Sequence, residues 1–320
     1  MHVLITGATG FVGSHLRHYF LEHTDWQLTG TAFPDQPPAP NNPREQCYHL
    51  DLCDRKGIET LLHDIRPDAI IHLAAQSHVP TAYKDPWETL KNNILGEVNL
   101  LESCVTLDLK PRFLVIGSGE EYGRASAEEL PLREDHPLHP ENPYSVSKVT
   151  QDVLGYQYFI SYNIPVICVR PFNHVGPGQS TRFVLPAFAH QVAQIERGLQ
   201  ENILRVGNLE PARDFTDVRD VVRAYHLALL QGTPGEAYNV SSSTARTIQS
   251  LVNRLLEMAR VPISLEIDPE RYRPADVPIV YGSAEKLRRA TGWEPQIPFE
   301  QTVRDVLEEW REKVKEEAET

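Results

Sequence analysis

From residue 2 onward the chain alternates between short, wholly apolar runs and longer stretches with apolar residues at every third or fourth position. The first pattern suits a strand buried on both faces, the second a helix with one buried face. Strands are predicted over residues 3–6, 27–33, 47–50, 69–74, 113–116 and 166–170, and helices over 12–22, 56–65, 88–107 and 143–162. Strand and helix in regular turn predict a doubly wound α/β fold of the Rossmann type, a parallel sheet covered on both faces. The prolines of FPDQPPAPNNP, residues 33–43, exclude helix and central strand there. After residue 170 the alternation fails, giving way to glycine-rich turns, short helices and isolated strand-like pieces such as ILRVG. A smaller, mixed α/β C-terminal domain is expected from residues 171–212 and 241–320, beside a first domain of residues 1–170. Residues 213–240 are expected to return to the first domain, because 218–230 reads as a helix and 237–240 as a strand. The stretch 299–315 reads as a charged amphipathic helix, a solvated cover.

Composition narrows the function. The 320 residues are 41% hydrophobic, enough to bury a large core, and 31 basic against 44 acidic residues leave a net charge of −13. Such a surface repels nucleic-acid backbones and anionic bilayers, so neither is an expected partner, and a bound anion must be met by a few placed arginines. The four cysteines (Cys47, Cys53, Cys104, Cys168) show no CxxC or Cys/His spacing, so free thiols and no metal site are expected. No export leader or membrane-length apolar run is evident, and a cytoplasmic protein is expected.

Three short motifs carry chemistry. The first strand runs into GATGFVG, which sets Gly7, Gly10 and Gly13 between strand and helix: a tight turn, close approach to a pyrophosphate, and close helix packing. In ENPYSVSK, Pro143 suits a first helical turn, and Tyr144 and Lys148 then share a face. An ammonium there is expected to lower the phenol's pKa and make it a usable proton donor or acceptor. GSGEEYG follows the fifth strand, so Ser118 and Glu120 should face the crevice that holds the glycine loop. Each motif alone is common on ordinary helices and turns; their conjunction, in the order one site requires, is not.

With TGATGFVG, the Ser118 loop, Tyr144/Lys148, RPFNHVGPGQ, VGNLEPARDFTDVRD and RPADVP, the chain resembles the extended short-chain dehydrogenase/reductase family over nearly its whole length. The likeness is to the branch acting on nucleotide sugars, GDP-linked ones in particular. That resemblance implies that Gly7, Gly10, Phe11, Val12 and Gly13 hold the cofactor pyrophosphate. It places Asp51 and Leu52 at the adenine and Leu73, Ala74 and Ala75 along the far side of the dinucleotide. Ser118, Tyr144 and Lys148 would be the catalytic trio. Asn173 would contact the sugar diphosphate and Ser77 lie near the hexose, while Arg213 and Arg273 would hold the pyrophosphate and Asp276 the ribose. Residues 183–188 and 203–207 are the expected nucleobase pocket, and the helices at 88–107 and 143–162 the expected homodimer contact.

The resemblance leaves a choice of reaction. Eliminating water from a 4-keto sugar needs a base and an acid, supplied in the dehydratases by two adjacent residues after the catalytic hydroxyl. Here the triplet is Ser118, Gly119, Glu120, and glycine has no proton to give. Reduction needs neither group. The expected reaction is therefore NAD(P)H-dependent reduction of the 4-keto group of a GDP-linked 6-deoxy sugar, with Glu120 either orienting the sugar or idle. A dehydratase or 4-epimerase with bound NAD(P) is the alternative, and a non-catalytic dinucleotide sensor a remote one. Phe33 stands where an acid or arginine would select the cofactor, with Asp35 slightly late and Arg44 beyond the proline loop, so use of both NADP(H) and NAD(H) is expected.

Overall fold

The computed structural model describes residues 1–33, 42–270 and 277–319. The first half builds β1 (His2–Thr6), α1 (Phe11–His23), β2 (Gln27–Ala32), β3 (Glu45–His49), α2 (Arg55–Ile65), β4 (Ala69–His72), α3 (Val79–Lys84) and α4 (Pro86–Leu90). A π-helical turn (Lys91–Leu95) leads into α5 (Gly96–Thr106), then β5 (Arg112–Ile116), α6 (Pro143–Tyr162) and β6 (Val166–Pro171). The predicted helix over 88–107 is thus α4 and α5 joined through that π turn, starting two residues earlier. The strand predicted over 69–74 ends at His72, where the chain turns out of the sheet.

The remainder forms β7 (Asn173–Val175), α7 (Val184–Glu196), β8 (Ile203–Val206), β9 (Ala212–Asp217), α8 (Val218–Gln231) and β10 (Ala237–Val240). Then follow β11 (Ala245–Thr247), α9 (Ile248–Met258), β12 (Ser264–Ile267), β13 (Ile279–Val280), α10 (Glu285–Thr291) and α11 (Phe299–Glu319). The 13 residues of α7 exceed the short pieces expected there, and α11, at 21 residues, is the helix expected over 299–315 carried on to Glu319.

The main sheet has seven strands in the order β10-β6-β5-β4-β1-β2-β3, all pairs parallel. Its order reverses between β1 and β4, which opens a crevice at the carboxyl ends of those strands. Side chains alternate across the sheet as the strand period requires. Val3, Ile5, Leu114 and Ile116 point into a core shared with α1, α8 and α10, whereas Leu4, Phe113 and Val115 point into one shared with α2, α5 and α6. A separate core joins α7, α9 and α11 to β8 and β9. The apolar stripe of α11 (Phe299, Val303, Val306, Leu307, Trp310, Val314) is buried in it, so this helix is a wall of the second core with only its charged face in solvent.

Candidate active site

β1 delivers the chain into Gly7 at φ +67°, where a Cβ would stand 2.9 Å from Ala74 Cα. At Gly13 a Cβ would meet the Gly7 carbonyl oxygen at 2.3 Å, so neither position admits a side chain. Gly10 is the N-cap of α1 and caps it with no side chain, so the positive end of the helix, carrying Phe11 and Val12, is left to an external anion. Asp51 and Leu52 follow β3, and Leu73, Ala74 and Ala75 follow β4. All the segments expected to hold the cofactor therefore leave one edge of the sheet, on either side of the reversal. The Ala74 amide, bonded to Thr6 Oγ1 at 3.2 Å, fixes the far wall. A diphosphate-bridged dinucleotide fits this cradle.

Helix α6 is fixed at its first residue. The Asn142 side chain accepts from the Ser145 amide at 2.8 Å, and Pro143 opens α6. Asn142 Nδ2 also donates to Glu120 Oε2 at 3.1 Å, tying the helix to the loop after β5. Ser118 caps the 3₁₀ turn Gly119–Tyr122: its Oγ accepts from the Glu120 amide at 3.1 Å, and its own amide donates to Glu121 Oε1 at 2.6 Å. Tyr144 reaches the same point and hydrogen-bonds with Ser118. Lys148 is buried one turn on, its Nζ donating to the Ile116 carbonyl at 2.7 Å and lying 5.9 Å from the Tyr144 ring centre.

The electrostatics correct one expectation. Tyr144 is partly exposed over its surface, but its hydroxyl lies deep, and burial pushes the phenol up. The Ser118 hydrogen bond pulls back, and the carboxyls of Glu120 and Glu121 push further up. Lys148 does not lower it, because the ammonium is directed to the end of β5. The phenol is therefore protonated at neutral pH, the state a proton donor needs. Burial brings the Lys148 ammonium down to about 8 against the opposing pull of Glu97 and Glu121.

Around this centre, Glu120 is exposed and faces both Tyr144 and Arg213. Arg213, on β9, donates from one nitrogen to the Ala212 and Pro278 carbonyls at 2.9 and 3.5 Å, and among the described residues nothing else takes its fork. Asn173 opens β7 and is exposed, as is Ser77 ahead of α3. Arg273, Asp276, Asp35 and most of the proline loop lie outside the described residues. Of the expected nucleobase pocket, Leu185, Phe188, Leu204 and Val206 point into the second core, whereas Phe183 is exposed and lies edge-on to His78 beside Ser77. Arg44 sits at the opposite end of β2 from the glycine loop, its carbonyl paired with the Leu28 amide and its guanidinium bonded to the Leu21 and Thr24 carbonyls.

The sequence reading missed Asn142 and Phe172. Asparagine before proline is a legible N-cap signal; Phe172 carried none. Its ring fills the space beside Gly119, where a Cβ would come within 2.9 Å of a ring carbon. The two halves of the site are also clasped. The Phe11 ring stacks on His174 (6.2 Å, 9°), and His15 Nε2 donates to the Pro177 carbonyl at 2.7 Å.

A phenol kept protonated beside a strand-end serine, across the crevice from a cradle for a dinucleotide, serves hydride transfer, and the chain is an NAD(P)-dependent oxidoreductase of the short-chain dehydrogenase/reductase class. Within that class it belongs to the family described as GDP-mannose 4,6 dehydratase, which matches residues 4–306. It is 39% identical to GDP-6-deoxy-D-mannose reductase of Pseudomonas aeruginosa, over 98% of this chain and 99% of that one. It is 30% identical to dTDP-glucose 4,6-dehydratase of Haemophilus influenzae, over 96% of this chain and 97% of that one. Among solved structures, RMD from Pseudomonas aeruginosa complexed with NADPH superimposes with a TM-score of 0.87 at 38% identity, over 98% of this chain and 99% of that one. UDP-glucose 4-epimerase from Thermotoga maritima superimposes at 0.86 and 26% identity, over 98% and 100%.

Proposed function

We propose that this protein reduces the 4-keto group of GDP-4-dehydro-6-deoxy-D-mannose to give GDP-D-rhamnose, with NADPH or NADH as the reductant. The reading rests on one observation above the others: the position a dehydratase fills with its acid is Gly119, and the Phe172 ring fills the space a side chain would need. The kinship with GDP-6-deoxy-D-mannose reductase supports it.

Bound in the cradle, the reduced nicotinamide supplies hydride to C4 of the sugar. Tyr144 gives its phenolic proton to the C4 oxygen. Ser118, whose Oγ accepts from the Glu120 amide, keeps its own proton to donate to that oxygen as charge develops. Lys148, its ammonium held at the Ile116 carbonyl beside this centre, would hold the nicotinamide ribose. Arg213 takes the diphosphate with its planar fork. Arg273 would join it and Asp276 would hold the ribose, with Asn173 at the sugar diphosphate and Ser77 near the hexose. Glu120, held by Asn142, orients the sugar.

The wider reading has three parts. Residues 171–212 and 241–320 form the substrate domain. All four cysteines are free thiols, which suits a reducing cytoplasm. The chain works as a homodimer: Val153, Tyr156 and Ile160 on α6 are 56%, 54% and 59% exposed, an apolar stripe beside exposed Trp87 on α4.

The test is to mix the protein with GDP-4-dehydro-6-deoxy-D-mannose and NADPH or NADH, follow nicotinamide absorbance, and identify the sugar. Stoichiometric oxidation with GDP-D-rhamnose as product is expected. Release of water from GDP-mannose with no net cofactor consumption would make the protein a dehydratase.

A further inference from the structure

The two capping boxes in the segment after β5 are alike in sequence and unlike in setting. Each pairs a serine with a glutamate three residues on, Ser118 with Glu121 and Ser126 with Glu129. Glu129 accepts the Ser126 amide at 2.7 Å, and both residues are exposed. Glu121 accepts the Ser118 amide at 2.6 Å and is wholly inaccessible to solvent. A surface glutamate therefore suffices to close such a turn. Burying a carboxyl for the same local purpose costs its hydration, so the buried copy needs a further partner.

That partner is Arg170, near the end of β6. Its Nε lies 3.3 Å from Glu121 Oε2, and the guanidinium binds Asp152 at 2.7 and 2.5 Å. Asp152 stands one turn beyond Lys148 on α6, the helix that carries Tyr144. The same guanidinium donates to the Tyr122 hydroxyl at 3.0 Å, and that hydroxyl donates to Asn239 Oδ1 on β10 at 2.7 Å. Gly117 leaves the room, since a Cβ there would lie 2.3 Å from Glu121 Oε1. Ser118 is pinned on both sides: the Gly117 amide donates to the Val169 carbonyl at 2.8 Å, and the Glu121 amide to the Ser118 carbonyl at 3.1 Å. One guanidinium thus joins the turn that bears Ser118 to the helix that bears Tyr144, the two groups that must converge on one carbonyl oxygen.

We propose that Glu121 is a positioning residue for the reductase reaction: its carboxyl, anchored by Arg170, holds the Ser118 amide and so sets the Ser118 hydroxyl in register with Tyr144. The carboxyl is sealed from the crevice, so it acts on a substrate only through Ser118. Rate depends steeply on such placement, and a displacement of about 1 Å costs on the order of a hundredfold. The kinetic part of the inference rests on the reductase reading; the hold of Glu121 on Ser118 does not.

The experiment sets Glu121→Asp against Glu121→Gln. Aspartate keeps a charge for Arg170 but is one methylene short of the Ser118 amide; glutamine keeps the reach and an acceptor oxygen. Glu121→Asp is expected to lower kcat roughly a hundredfold at unchanged KM, and Glu121→Gln to retain most of the wild-type rate. A glutamine variant as slow as the aspartate one overturns the proposal. Ser118→Ala should itself be slower by roughly a hundredfold, and adding Glu121→Asp to it should cost nothing more, because the hydroxyl to be positioned is gone. Losses that multiply to roughly ten-thousandfold overturn the proposal as well, since a merely structural role would act independently of that hydroxyl. Amide exchange gives a reading without turnover. In protein labelled with ¹⁵N-serine, the Ser118 amide, assigned by its absence from Ser118→Ala, should exchange with water about tenfold faster or more in Glu121→Asp than in wild type or Glu121→Gln. Equal exchange in all three overturns the hold itself. Glu121→Ala, which also withdraws the acceptor, is read in the same way should the aspartate variant fold poorly. A wild-type protein that turns over no GDP-keto sugar sinks the reductase reading, while exchange at Ser118 still decides whether Glu121 holds it.

Discussion

Tyr144 shows what local spacing reveals and what it conceals. That it shares a helix face with Lys148 was legible from the sequence, because four residues is one turn and Pro143 fixes the phase. The direction of its proton affinity was not, because burial depends on Ser118 and on the two glutamates beyond it, which the chain brings in from another strand. Tyr144→Phe should lower kcat roughly a thousandfold, the size of a lost general acid, and leave dinucleotide affinity within about twofold. Stopped-flow turnover and fluorescence titration read the two quantities. A variant that turns over at the wild-type rate would remove the proposed proton donor. Glycines 7 and 13 were legible for the same local reason as the tyrosine. Phe172 was not, because its contact with Gly119 joins residues from two different strand ends.

Among the elements, strands of the main sheet were readable because burial on both faces makes them continuous apolar runs. Their ends were less so: β4 stops at His72 because the Ala74 amide turns to Thr6 Oγ1 and leaves the ladder. The π turn between α4 and α5 was invisible, since it shifts the helical phase by only one residue and leaves the apolar spacing almost intact. Yet it has work in the structure, presenting Asn93 to accept from the Gln76 amide at 2.8 Å and to donate to Ser147 Oγ at 2.9 Å. The turn after β5 carries a testable limit. Gly119→Asp restores a dehydratase-like acid in sequence but drives a side chain into the Phe172 ring. The expected outcome is a loss of about 1–3 kcal/mol of stability, seen as a lower Tm, and no water elimination from GDP-mannose. A stable variant that dehydrates GDP-mannose would show that the ring yields and that Gly119 alone separates the two reactions.

The whole molecule answers to assembly and to pH. If α4 and α6 meet their counterparts in a second copy, light scattering will give a mass near twice 36.3 kDa. Replacing Tyr156 and Ile160 together by arginine will then halve it, whereas a monomeric wild type would refute the contact. Stability toward acid turns on His72, buried beneath the site with Nδ1 bonded to Thr6 Oγ1 at 2.8 Å and Nε2 unpartnered. Burial, aided by Lys148, brings its midpoint down to about 3. The unfolded chain binds that proton near 6.5. The neutral histidine therefore contributes full stability above about pH 6.5 and loses it as pH falls toward 3, a change on the order of several kcal/mol. Tm measured from pH 7 to 4 should fall less steeply in His72→Asn than in wild type; equal slopes would rule the group out. The clasp of Phe11 on His174 and of His15 on Pro177 joins the turn proposed to receive the coenzyme to the segment proposed to lead to the sugar. Filling the first steadies the second, so catalysis should run in compulsory sequence, with the oxidised coenzyme the last product to depart. Steady-state product inhibition would display it: NADP⁺ competing with NADPH, and the reduced sugar nucleotide not competing with it.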